Sequence, residues 1–143
     1  MNILVINGPN INMLGIREPD IYGKQDFAAL EAFIRQAAAE CGAQVELFQS
    51  NHEGAIVDKI QWAYRKMDGI VINPAAYTHT SVAILDALKA VGLPAVEVHL
   101  SDVNAREEFR HISYAGMACE KSYIGMSFEG YRAAIQYLTG KQR

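Results

Sequence analysis

Cysteine is scarce in this chain. Cys41 and Cys119 stand alone, with neither a Cys-x-x-Cys pair nor Cys/His spacing, which excludes a disulfide framework and predicts no zinc or other metal site. Long hydrophobic runs are also missing: the longest, such as 3–6 and 69–72, fall far short of the roughly twenty residues that a membrane span requires. No basic leader precedes the first strand, so a cytoplasmic protein with no membrane partner is expected. Clusters of positive charge are absent. With a net charge of −3 and Lys and Arg scattered along the sequence, a nucleic-acid surface is excluded and a small-molecule partner is predicted. The composition of a disordered chain is lacking as well: half of the 143 residues are apolar and mean hydropathy is near zero, as suits one globular domain over 1–143 with a full core.

What is present is an alternation of strands and helices. Residues 2–7, 43–48, 69–73, 95–99 and, more weakly, 122–125 read as strands, most of them continuously apolar as buried parallel strands are. Phe27, Leu30, Ile34, Ala37 and Cys41 keep helical spacing behind the N-cap candidate Asp26, and Gly42 ends the run. Ser50 and Glu53 have capping-box spacing ahead of Ile56, Ile60, Tyr64 and Met67 on one helical face. Thr80 or Ser81 can cap the run Ile84, Leu85, Leu88 and Val91, and Ser127 precedes Phe128, Tyr131, Ile135 and Leu138. There is no internal repeat, low-complexity tract or linker. Alternating β and α units predict an α/β three-layer sandwich with right-handed crossovers, and five strands favour the flavodoxin-like parallel order 2-1-3-4-5.

That topology locates a site. In open α/β sheets ligands bind beyond the carboxyl ends of the strands where the winding reverses, here between strands one and three with strand four alongside. The three segments leaving those ends, "NGPNINMLGIREPDIYG", "NPAAYTHTS" and "HLSDVNAREEFR", are also the polar-rich ones. The exit of strand two, "QSNHEG", is mostly explained by a helix cap. Each polar residue has an ordinary structural explanation: Asn10 and Asn12 beside Gly8, Pro9 and Gly15 can satisfy turn backbone, Arg17 can be a solvated charge, Tyr22 can cover the core, and His79 can simply enter a helix. His99 is harder to explain so, because it ends a strand at the predicted crevice. Together, two histidines, a tyrosine, Arg17, Arg106, Arg110 and neutral hydrogen-bonding groups suit an anionic, polyhydroxylated substrate and proton-transfer chemistry.

Rival chemistries lack their residues. A nucleotide or flavin binder needs a glycine-rich turn after strand one, and "GPNINMLG" is neither GxGxxG nor GxxxxGK[ST]; a small-ligand or nucleotide-binding module of this fold is kept as the alternative. A receiver-type module needs acidic residues where strands one and three end in asparagine. His79, Ser81 and Asp86 lack a GxSxG elbow and crowd one helix entry, and no lysine ends a strand for Schiff-base chemistry.

The segments "INGPNINMLGIREPDIYG", "NPAAYTHTS" and "EVHLSDVNAREEFR" resemble the three signature segments of the type II 3-dehydroquinate dehydratase family, and the likeness runs on to the closing "EGYRAAIQYL". Ala75 stands where that family more often has glycine, and Leu100 is one of several aliphatics it tolerates. The resemblance implies a cofactor-independent anti elimination of water from 3-dehydroquinate through an enolate. It implies Tyr22 as the base at C2, Arg17 as the cation that lowers the phenol's pKa and anchors the loop, and His99 as the acid at the C1 hydroxyl. It further implies Asn10 positioning a water at the enolate oxygen, and the substrate carboxylate meeting Asn73, Ser101 and the backbone N–H groups of Leu100 and Ser101. His79 and Arg110 are implied to bind ring hydroxyls, joined by Asp86 of a neighbouring subunit in a dodecamer of four trimers. Glu97 is implied to support His99, with Glu18 and Arg106 as loop supports. Elementary physics suits these roles: a free phenol is roughly one part in a thousand ionised at pH 7, and a nearby guanidinium can lower an acid's pKa by about 1 to 3 units. A long loop acting as a lid then needs no other explanation.

Overall fold

The computed structural model describes residues 1–16 and 25–140. Five strands, β1 (Asn2–Asn7), β2 (Gln44–Gln49), β3 (Gly69–Asn73), β4 (Ala95–His99) and β5 (Lys121–Ile124), form one sheet in the order β2-β1-β3-β4-β5. Every pairing is parallel. This is the α/β order expected from the alternation.

Because parallel strands need crossovers, helices cover both faces of the sheet. Helices α1 (Phe27–Glu40) and α4 (Glu129–Gly140) pack over Ile3, Val5, Val71, Val96 and Val98. Helices α2 (Glu53–Trp62) and α3 (Val82–Val91) pack over Leu4, Ile6, Ile70, Ile72 and Ala95 on the other face. β1, β3 and β4 are buried on both sides, which is why their sequences are continuous rather than alternating, whereas the edge strands β2 and β5 are partly exposed. Among the described residues no helix is long and apolar enough to cross a membrane.

Two helix starts follow the expected chemistry. Asp26 accepts the Ala29 N–H at 2.8 Å, and of the two candidates ahead of α3 it is Ser81 that caps, accepting the Ile84 N–H at 2.9 Å. The capping box at Ser50 and Glu53 does not form: α2 begins at Glu53 behind His52, and the Ser50 hydroxyl accepts the His52 N–H at 3.0 Å instead. Nor does the helical face reach Met67. α2 stops at Trp62, Arg65 turns the chain at a φ of 63°, and Tyr64 is exposed. Ser127, also in the left-handed region at φ 52°, leads into α4 rather than capping it in extended conformation.

The register matters most at the carboxyl rim. Asn7 lies beside Gln49 on one side and Asn73 on the other, so three amide side chains sit in a row across β2, β1 and β3.

Candidate active site

A cavity of about 580 Å³ opens at this rim, at the winding reversal between β1 and β3. Ile11, Leu14, Leu100, Val103 and Phe128 give it apolar walls, and Asn10, Asn73, His79, His99, Ser101, Arg106 and Arg110 supply its polar groups. Eight of the residues singled out in the sequence, Leu100 included, are thus brought together. Asp86 is not: it is exposed on α3, outside its own chain's cavity lining. Glu97 lies outside the lining too, buried behind His99. Arg17, Glu18 and Tyr22 fall outside the described residues.

The first loop is held close to the third strand by glycine. A Cβ on Gly8 would lie 2.5 Å from the Pro74 carbonyl oxygen, so only glycine lets the Gly8 N–H donate to the Asn73 carbonyl at 2.8 Å. Asn10 then turns the chain in the left-handed region at φ 70°, which asparagine tolerates better than most residues. Its N–H donates to Asn51 Oδ1 at 3.0 Å, while Gln49 Nε2 donates to the Gly8 carbonyl at 3.1 Å and to Asn12 Oδ1 at 3.3 Å. The exit of β2, read from sequence as little more than a helix cap, is therefore the scaffold of the Asn10 loop.

His99 is 4% exposed and Glu97 1% exposed, two residues apart on β4 and hence on the same face. His99 Nε2 donates to Glu97 Oε2 at 2.8 Å. Oε2 also accepts from Thr78 Oγ1 at 2.8 Å and from Ser113 Oγ, and Oε1 accepts from Ser122 Oγ at 2.7 Å. Burial alone would push this carboxyl's pKa up. The donated hydrogen bonds from His99, Ser113 and Ser122, with the charge of His99, more than offset burial and hold it at about 2. An ionised carboxylate only accepts, so the nitrogen facing it carries hydrogen and Nδ1 is left for a ligand. Cys119, near the same carboxylate, has its thiol pushed up to about 12 by burial and by Glu97, so it is an inert thiol rather than a nucleophile.

The second histidine is set by the same neighbourhood. His79 Nδ1 is 2.8 Å from the Ile112 carbonyl, the Tyr114 N–H donates to the Thr78 carbonyl at 2.7 Å, and Ser113 lies between them on Glu97. Arg110 donates from Nε to Glu107 Oε2 at 2.7 Å, leaving its terminal nitrogens for the cavity. Glu107's own backbone N–H and Arg110 hold that exposed carboxyl below its usual range.

Asn73 is fixed from behind. Its Nδ2 donates to the Tyr131 hydroxyl at 2.9 Å, its Oδ1 accepts the Ala75 N–H at 3.1 Å, and the Tyr131 hydroxyl donates to Asn7 Oδ1 at 2.6 Å. Sequence inspection gave no role to Thr78, Ser113, Ser122 or Asn51, and counted Tyr131 only as a helix-face apolar residue. The one available signal was Glu97 itself, since a carboxylate inside an apolar strand demands donors from its neighbours.

The arrangement combines an imidazole locked to a buried carboxylate with neutral donors and two guanidinium groups around a half-apolar cavity. It can bind an anion, fix its hydroxyls and deliver a proton at one point. Among the described residues no group of three or more His, Cys, Asp or Glu side chains is placed to hold a metal ion. The chain is 56% identical over 138 residues to a 3-dehydroquinate dehydratase of Lachnospira eligens, covering 95% of this chain and 94% of that one. It is 55% identical to catabolic 3-dehydroquinase 1 of Aspergillus terreus, covering 96% and 90%. The crystal structure of type II dehydroquinase from Butyrivibrio crossotus superposes with a TM-score of 0.91 at 54% identity, covering 96% of this chain and 97% of that one. Residues 1–139 match the family described as dehydroquinase class II, and the chain belongs to that family.

Proposed function

We propose that this chain dehydrates 3-dehydroquinate to 3-dehydroshikimate, acting in the cytoplasm as one catalytic domain over 1–143 and without a cofactor. Tyr22, ionised beside Arg17, takes the C2 proton, and the electron pair moves onto the C3 carbonyl oxygen to form an enolate. Asn10 holds a water against that oxygen. As the enolate collapses, the C1–oxygen bond breaks on the opposite face and a protonated His99 gives its Nδ1 proton to the departing hydroxyl. Water leaves and the C1–C2 double bond forms, conjugated with the ketone.

Glu97 keeps the imidazole in place and oriented, so that the proton is offered at Nδ1 alone. The substrate carboxylate is held by Asn73, Ser101 and the backbone N–H groups of Leu100 and Ser101. His79 and Arg110 take the ring hydroxyls, and Asp86 reaches them from a neighbouring copy in a dodecamer of four trimers. Arg106 and Glu18 support the loops. The observation that carries this reading is the buried His99–Glu97 pair at the cavity, 2.8 Å apart, in a chain of this family.

The test is to add chelator-treated protein to 3-dehydroquinate and follow the ultraviolet absorbance of the conjugated enone. A rise proportional to protein, lost in His99→Ala, is expected. No rise with the unaltered protein overturns the reading.

A further inference from the structure

We infer that Tyr131, on the far side of the sheet from His99, is a positioning residue whose hydroxyl, held by Asn7, sets the amide of Asn73 for substrate. This rests on the reading of Asn73 as a ligand of the substrate carboxylate. The three side chains form a closed relay in the core: Tyr131 is 0% exposed, and Asn7 and Asn73 are each 2% exposed. Only Asn73 lines the cavity. Through their side-chain hydrogen bonds, Asn7 and Tyr131 reach a ligand by way of it.

The proton inventory gives the relay one direction. A phenol has a single hydrogen, and at 2.6 Å it goes to Asn7 Oδ1. The hydroxyl oxygen must then accept, and the group offering a hydrogen is Asn73 Nδ2 at 2.9 Å. At its other end the Asn73 amide accepts the Ala75 N–H through Oδ1. Oxygen and nitrogen are thus each pinned, and the second Nδ2 hydrogen is what Asn73 has left to offer, a donor suited to a carboxylate. Burial keeps the phenol's pKa above its ordinary value, so the hydroxyl keeps its hydrogen across the neutral range.

Removing the phenol oxygen leaves Asn73 Nδ2 without its partner and frees the amide to rotate, which presents Oδ1 to the substrate anion for part of the time. Tyr131→Phe should raise KM for 3-dehydroquinate about tenfold, the scale of a weakened hydrogen bond to an anion, while kcat changes less than about threefold. In an Asn73→Ala background the same substitution should add nothing to KM, because the relay acts through that amide. Asn7→Ala should also raise KM with the phenol in place, since the hydroxyl hydrogen is then free to turn toward Asn73; this variant carries the test if Tyr131→Phe does not fold. An unchanged KM in a folded Tyr131→Phe or, where that variant does not fold, in Asn7→Ala, or an equal rise in the Asn73→Ala background, overturns the inference. If the unaltered protein has no dehydratase activity, the functional reading fails separately. Crystal structures of the unaltered protein and Tyr131→Phe then decide the relay: retention of the Asn73 side-chain position against Ala75 overturns it, and a turned side chain supports it.

Discussion

Glu97 is the residue whose surroundings say most about the site. A carboxylate 1% exposed on a buried strand is costly unless donors surround it, and four side chains donate to this one. Its folded pKa, about 2, lies below the ordinary 4.5, so the unfolded chain takes up the proton first as pH falls. The stabilisation, about 3 kcal/mol for such a shift, is full above pH 4.5 and fades as pH drops toward 2. Glu97→Gln should flatten the acid limb of stability in denaturant melts, and lower kcat roughly 10- to 100-fold by loosening His99. An acid limb identical to that of the unaltered protein would remove Glu97 from the account. Ala75 gives a second residue-scale prediction. It adopts φ 53°, a conformation that costs a non-glycine residue about 1 to 2 kcal/mol. Ala75→Gly should stabilise the fold by about 0.5 to 1 kcal/mol after the greater flexibility of unfolded glycine is subtracted, seen as a higher denaturant midpoint.

Among the elements, the exit of β2 carries more than its sequence announced. Asn51 Oδ1 accepts from the Asn10 N–H and the Gln49 side chain, and its carbonyl accepts from the Tyr77 hydroxyl at 2.8 Å. Asn51→Ala should therefore lower kcat several-fold by releasing the Asn10 turn, an effect of about 1 kcal/mol, with the melting temperature nearly unchanged. The strands were legible because burial on both faces writes itself as unbroken apolar runs such as Ile3 to Ile6. Their order followed from alternation with helices, and His99 stood out because a strand that ends at the crevice is recognisable without its partners. What stayed hidden was long-range: Ser113 meets Glu97, and Tyr131 meets Asn7, across separations that no local pattern encodes. The false capping box had a local cause, since Ser50 and Glu53 have the spacing but Ser50 spends its hydroxyl on the His52 N–H.

For the molecule as a whole, the cavity of one chain lacks Asp86, and that residue projects from α3 together with the half-exposed Val82 four positions earlier. The proposed assembly gives Asp86 its partner, the substrate of a neighbouring copy. Light scattering should report a particle of twelve chains, and Asp86→Ala should raise KM more than it lowers kcat; a fully active monomer contradicts the shared site. The central claim, that a base at Tyr22 and an acid at His99 divide the elimination between them, is tested most directly by hydrogen exchange at C2 of 3-dehydroquinate in deuterium oxide. The unaltered protein should exchange that hydrogen wherever enolate formation is reversible, His99→Ala should retain exchange while losing dehydration, and Tyr22→Phe should lose both. Exchange in Tyr22→Phe at the rate of the unaltered protein contradicts the assignment of the base.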